Sequence, residues 1–202
     1  MTENKTDFMH RYEFTRNISW AIPNHNVIDQ LTKFFVDKGP ILEVGSGFGL
    51  WTGLLKAYGL DVVATDPFLS HGLDDVASSQ RSSKTYTDVV CMNHLKAIET
   101  YNTPCLFLCW PSCGGSFAAE ALIAFQGKYL IYIGEGLGGC TANDEFFDIL
   151  YNNWTKLEYI SIPSWNAIND GLYIYVRNDP DLSSCCTCDR DDDSVCSDLS
   201  DA

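Results

Sequence analysis

The sequence predicts an α/β fold with a mostly parallel sheet and helices on both of its faces. Three observations carry this. Strand-like and helix-like patterns alternate from about residue 41 to 154, which implies parallel strands joined by crossover helices. A glycine-rich turn, Gly45 to Gly49, separates the first strand from the helix after it. Two late strands follow with no helix between them, which fits an antiparallel hairpin at one sheet edge.

The elements follow in order. Val27 to Asp37 places apolar residues at 27, 28, 31, 34 and 35, a helical period. Pro40 introduces Ile41-Leu42-Glu43-Val44, a short buried-strand run. Leu50 to Tyr58 reads as a helix that ends at Gly59, and Asp61 to Thr65 as the second strand. Pro67 to Tyr86 reads as a loop with at most a short helix, and Asp88 to Met92 as a strand. Cys105 to Trp110 is a strand after Pro104, and Ser116 to Phe125 a helix closed by Gly127. Tyr129 to Ile133 is rich in strand formers. Asp144 to Trp154 is a helix with Asn143 as its N-cap. Leu157 to Ile162 and Leu172 to Val176 are the late pair. In an open α/β sheet, ligands lie beyond the carboxyl ends of the strands. Gly45–Gly49, Asp66, Trp110 and Glu135 each follow a predicted strand and therefore share one rim.

Composition narrows the class. The chain has 202 residues, 46% hydrophobic and 20% charged, which is ordinary for one globular domain with a tail. No run approaches ~18 uninterrupted apolar residues, so no membrane span is expected. Met1 to Asp7 is polar and acidic and lacks the apolar centre of a secretory signal. Lys+Arg 13 against Asp+Glu 27 gives a net charge of −14, which disfavours nucleic acid as a partner. Eight Asp and one Arg fall within 179–202, so half of that charge belongs to a Cys/Ser/Asp-rich segment with almost nothing to bury. It reads as a disordered acidic tail on a domain spanning 1–178. Nine Cys and no secretory signal indicate free thiols in a reducing, cytoplasmic setting. Cys91, Cys105, Cys109, Cys113 and Cys140 lie in or beside apolar segments and read as small hydrophobes. Cys185, Cys186, Cys188 and Cys196 match no standard zinc spacing and read as tail thiols. His10, His25, His71 and His94 show no metal-ligand spacing, so no metal is expected.

The glycine turn decides the functional reading. Glu43-Val44-Gly45-Ser46-Gly47-Phe48-Gly49 allows a tight turn and close backbone approach to a ligand. Leu50 stands where the dinucleotide fingerprint needs its third glycine, and no Lys-Ser/Thr follows as in a phosphate-binding P-loop. Asp66 ends the second strand, where an acid accepts hydrogen bonds from ribose hydroxyls. With its E-x-G-x-G-x-G turn and Asp66, the chain resembles the class I S-adenosylmethionine (SAM)-dependent methyltransferases. That resemblance implies a Rossmann-like, seven-stranded, mostly parallel sheet with an antiparallel last strand. It implies SAM as cofactor, held by Glu43, Gly45, Gly47, Gly49 and Asp66, with Pro67 beside them. A narrower resemblance covers residues 12 to 177. It is carried by Trp20-Ala21-Ile22-Pro23, Leu108-Cys109-Trp110-Pro111, Tyr132-Ile133-Gly134-Glu135, Gly138-Gly139-Cys140-Thr141, Ile162-Pro163-Ser164-Trp165 and Asp170 to Tyr175. These segments are similar to a little-characterised family of small methyltransferase-like proteins.

The acceptor side is less defined. Methyltransferases that act on amino groups of bases or glutamine often carry Asp/Asn-Pro-Pro-aromatic after the fourth strand, and here Trp110 replaces the acid or amide. Trp110 either stacks on adenine or walls the acceptor pocket, or it is a core Trp at a strand end. Glu135, among four glycines, is the first candidate for an acceptor contact or general base; the alternative is a loop-stabilising carboxylate. Trp165 and Asp170 close the acceptor side on one reading; Asn169-Asp170-Gly171 is an ordinary solvated turn on the other, preferred one. Residues 1–23 read as a lid, with Trp20 packing on the cofactor or covering the sheet edge.

The function expected is SAM-dependent methyl transfer to a small molecule or protein. The alternative is a SAM-binding or catalytically inactive methyltransferase-fold protein that serves as an interaction or regulatory partner.

Overall fold

The structure, a computed structural model, describes residues 3–67 and 85–179. The loop expected over 67–86 and the acidic tail therefore lie largely outside the described residues.

Helix α1 (Glu3–Asn17) precedes α2 (His25–Phe35), which enters the alternating part: β1 (Ile41–Val44), α3 (Leu50–Ala57), β2 (Val62–Thr65) and β3 (Val89–Val90). Then come α4 (His94–Tyr101), β4 (Cys105–Cys109), α5 (Phe117–Ala124), β5 (Tyr129–Gly134) and α6 (Asp144–Asn153), and finally β6 (Trp154–Ser161) and β7 (Gly171–Arg177). The strands form one seven-stranded sheet in the order β3-β2-β1-β4-β5-β7-β6. β1 to β5 pair in parallel, and β7 runs against both β5 and β6. The expected sheet with its reversed last strand is what forms.

Strand periodicity explains how the sheet is covered. Successive side chains point to opposite faces. Ile41, Cys105, Phe107, Ile131 and Ile133 pack on one face with Leu31 and Phe35 of α2 and Trp51 and Leu55 of α3. Leu42, Leu106, Leu108, Leu130 and Tyr132 pack on the other with residues of α4, α5 and α6. Phe107 is fully buried and meets Trp51 edge to face, with ring centroids 6.2 Å apart. Burying each such side chain contributes roughly 1.5–3 kcal/mol, so the two clusters hold the central strands rigid.

The helix caps follow the sequence. Asn24, Asn93 and Asn143 each accept the backbone N–H three residues on, opening α2, α4 and α6. Helices α1 and α4 are not anticipated by the sequence pattern: α1 has almost no apolar face, and α4 spans only eight residues. β6 begins at Trp154, earlier than expected, because Trp154 leaves α6 in extended conformation and packs directly into the core.

The reversal of β7 matters for the site. Gly134 at the end of β5 lies opposite Gly171 at the start of β7. The residues just before β7 therefore reach the rim formed by the ends of the parallel strands.

Candidate functional site

The rim has two halves. The first lies over β1 and β2. Gly45, Gly47 and Gly49 all adopt positive φ, at 70°, 56° and 72°, which lets the chain turn sharply from β1 into α3. Gly47 is decisive: a Cβ built there meets nothing within 4 Å, so the turn faces open space. Asp66, 8% exposed, accepts the Gly47 N–H through Oδ2 at 2.9 Å. Ser46 Oγ is buried in the same turn with no hydrogen-bond partner among the described residues. Beside Asp66, the carbonyl of Pro67 accepts the Cys91 thiol at 3.7 Å.

Glu43 lies beneath this turn rather than at its surface. It is buried, and its Oε2 accepts the hydroxyl of Thr52 in α3. The Thr65 hydroxyl donates to the Glu43 carbonyl at 3.2 Å. Burial pushes the Glu43 carboxyl up to about 8, against the opposing pull of Thr52, so the group is neutral at pH 7. A neutral acid clamps β1, β2 and α3 together at the foot of the turn.

The second half lies over β4, β5 and β7. Trp110 directly follows β4 with φ 52°, a left-handed conformation rare for a bulky residue, and its backbone N–H donates to Ile133 O at 2.7 Å. Its indole Nε1–H donates to Asp170 Oδ2 at 2.9 Å. Trp20 stacks on the Trp110 ring, with centroids 5.4 Å apart and planes 18° apart. The Arg11 guanidinium of α1 lies over the same indole at 5.9 Å. Phe14 of α1 meets Trp165 edge to face at 5.7 Å. The N-terminal segment is thus laid over this second half of the rim.

Glu135 is buried, and both of its carboxylate oxygens bond to backbone. Oε2 accepts Cys140 N–H at 2.7 Å and Oε1 accepts Asn169 N–H at 2.8 Å. Burial raises its proton affinity, but the two amides, with the Cys140 thiol and the Arg11 charge, outweigh it, and the carboxyl sits below its ordinary range. The loop after β5 is fixed further by Tyr132, whose hydroxyl donates to Glu135 O at 2.8 Å, and by Thr141, which accepts Glu135 N–H at 2.9 Å. The loops after β4 and β5 are also joined, through Ala142 N–H to Pro111 O at 3.0 Å and Gly114 N–H to Ala142 O at 2.8 Å.

The structure thus brings Gly45, Gly47, Gly49, Asp66 and Pro67 together on one half of the rim, with Glu43 below them. Trp20, Trp110 and Glu135 belong to the other half. The preferred reading of Asn169-Asp170-Gly171 as a solvated turn is corrected: Asp170 is 6% exposed and bonded to Trp110. Asp170 and Arg11 are the residues that sequence reasoning underrates. The signal for Asp170 is the reversed strand itself, since a residue preceding β7 shares the rim with residues following β5. Arg11 carries no such signal, because no apolar stripe marks α1.

Among the described residues, no group of three or more His, Cys, Asp or Glu is placed to hold a metal ion, and no helix is long and apolar enough to cross a membrane. No protein-family model and no curated protein matches the chain. Solved structures do share the fold. One is the 1,6-didemethyltoxoflavin-N1-methyltransferase of Burkholderia thailandensis with bound 1,6-didemethyltoxoflavin and S-adenosylhomocysteine, at a TM-score of 0.50 and 14% identity, covering 86% of each chain. Another is a magnesium protoporphyrin IX methyltransferase from Synechocystis PCC 6803 with bound SAM, at a TM-score of 0.47 and 9% identity, covering 85% of this chain and 97% of that one. A third, from Streptococcus agalactiae, is described as a protein in the NADB-Rossmann superfamily, at a TM-score of 0.48 and 16% identity, covering 78% of this chain and 70% of that one. At these identities the likeness concerns the fold.

Proposed function

We propose that the chain is a SAM-dependent methyltransferase acting on a small molecule or protein. The observation that carries this reading is the Gly47–Asp66 pair, an open glycine turn bonded to a buried acid at the carboxyl ends of β1 and β2. When bound there, SAM supplies an activated methyl group on a sulfonium. The backbone of Gly45 to Gly49 would hold the cofactor's methionine part, and Asp66 its ribose hydroxyls. Ser46 Oγ is a further group in the turn with hydrogen-bonding capacity to spare. Glu43 acts from below, by holding the turn against Thr52. Pro67 shapes the corner beyond Asp66.

On the acceptor half, Trp110 and Trp20 wall off water, and Glu135 is a positioning residue that ties the β5 loop to the turn before β7. The domain comprises 1–178, with 1–23 as its lid. Of the five cysteines read as small hydrophobes, Cys105 is buried and Cys109 partly so, whereas Cys91, Cys113 and Cys140 are exposed at loop and strand ends and do not pack in the core.

One feature favours a second reading, a SAM-binding protein without catalysis that serves as an interaction partner. Trp110 stands where many amino-methyltransferases carry an acid or amide, and Glu135 has each oxygen on a backbone amide. Isothermal titration with SAM and S-adenosylhomocysteine, with NAD as control, tests the shared premise. Binding of the first two alone is expected. Binding of NAD, or of none, would overturn it. Methyl transfer to an acceptor panel then separates the enzyme from the partner protein.

A further inference from the structure

Three observations converge over β4, β5 and β7. The first is an orphaned charge. Asp170 is 6% exposed; Oδ2 takes the Trp110 indole N–H, while Oδ1 is buried with no hydrogen-bond partner among the described residues. A buried carboxylate oxygen without a donor is costly, and a fold that keeps one usually has a use for it.

The second is a cation already drawn to the place. Arg11 lies over Trp110, and its charge favours the ionised forms of both Asp170 and Glu135. Its own Nε is also buried without an acceptor among the described residues. The third is the wall: stacked indoles of Trp20 and Trp110 present π-faces, which attract nitrogen cations.

We propose that Asp170 is the acceptor-binding carboxylate, and that the acceptor carries a cationic nitrogen head group, an amine or guanidine, which takes the place over Trp110 that Arg11 now fills. This rests on the methyltransferase reading of the rim. It accounts for the missing acid after β4: the carboxylate arrives instead from the start of the reversed strand and is tied to the Trp110 that replaced it. Asp170 Oδ1 accepts a hydrogen bond from that head group and so orients the acceptor molecule. The chain's net charge of −14 draws such an acceptor in and repels an anionic one. Arg11 acts as an internal competitor that leaves when the acceptor enters.

The test uses the full chain with saturating S-adenosylhomocysteine and four matched probes: 2-phenylethylamine, 2-phenylethylguanidine, 2-phenylethanol and 3-phenylpropanoate. Binding is read by titration calorimetry. Both cations are expected to bind at least ~10-fold more tightly than the alcohol and the carboxylate, as loss of a hydrogen bond to a charged group implies. Asp170→Asn keeps an acceptor for the Trp110 N–H and should lose most of that preference. Arg11→Ala should tighten the cations severalfold. Neither variant should alter S-adenosylhomocysteine affinity. Equal binding of cation and alcohol, or a cation preference untouched in Asp170→Asn, overturns the assignment, as does Arg11→Ala that fails to tighten them. If the wild type binds the cations but no S-adenosylhomocysteine, the cofactor reading fails and the nitrogen site stands. If it binds S-adenosylhomocysteine without preferring cations, only the nitrogen site fails.

Discussion

The indole of Trp110 and the carboxylate of Asp170, sixty residues apart in sequence, share a 2.9 Å hydrogen bond that ties the end of β4 to the start of β7. Trp110→Phe removes the donor and leaves Asp170 buried with neither oxygen paired to a side chain. A loss of about 2 kcal/mol in chemical denaturation at pH 7 is expected. Burial already raises the Asp170 carboxyl above its ordinary range, so the loss should shrink as pH falls and the group protonates. A pH-independent difference would mean that the two side chains are not energetically linked.

Asp66 accepts the Gly47 amide and, on the proposed reading, also holds the cofactor ribose. Asp66→Ala should weaken S-adenosylhomocysteine binding by about 1.5–3 kcal/mol, the range for hydrogen bonds to a charged group. Asp66→Asn, which still accepts from Gly47, should fall between. An Ala variant with wild-type affinity removes Asp66 from the site.

Glu43 gives the fold a pH dependence of defined sign. Its carboxyl is raised from 4.5 to about 8, first by burial. The folded state therefore keeps a proton that the unfolded chain releases. The stability from the neutral form is fully present below pH 4.5 and is lost as pH rises through about 8. A tenfold gain in proton affinity corresponds to about 1.4 kcal/mol, so the change across the window is on the order of a few kcal/mol. Glu43→Gln abolishes the change: its melting temperature should gain on wild type between pH 4.5 and about 8 and level off above that. A constant gap across that range would sink the idea.

Two glycines should separate binding from folding. A Cβ at Gly47 enters open space at φ 56°, so Gly47→Ala should cost only about 1 kcal/mol of stability yet weaken S-adenosylhomocysteine by at least ~10-fold. A Cβ at Gly134 meets Tyr132 Oη at 2.7 Å and Thr141 Oγ1 at 2.9 Å. Gly134→Ala should cost about 2 kcal/mol and leave the folded protein's cofactor affinity near wild type. Thermal melts beside calorimetry check both; the reverse pattern would place the ligand over β5 instead.

The central strands are legible in the sequence because each is a short apolar run next to a turn signal, and the glycine turn with Asp66 marks half of the rim. Three features resist such reading. Helix α1 has no apolar stripe to betray it. Glu135 stands among glycines as a catalytic acid would, yet its role depends on the Asn169 amide, thirty-four residues away. Asp170 sits in ordinary turn chemistry, and its burial follows from the pairing of Gly171 with Gly134, which brings it to Trp110. Local pattern reports what a residue does to its neighbours in sequence; these roles come from partners delivered by the sheet.

The stacking of Trp20 on Trp110 has an optical consequence. Two indoles with centroids 5.4 Å apart and planes 18° apart share their electronic excitation. Their coupled contribution to the circular dichroism should change when the rings part. Of the five Trp, Trp51 and Trp154 are held in the core and their signals stay constant, while Trp165, which meets Phe14 of the N-terminal segment, adds a change of its own. Movement of the N-terminal segment away from the rim is therefore written in the protein's own spectrum, and Trp20→Phe supplies the blank against which to read it.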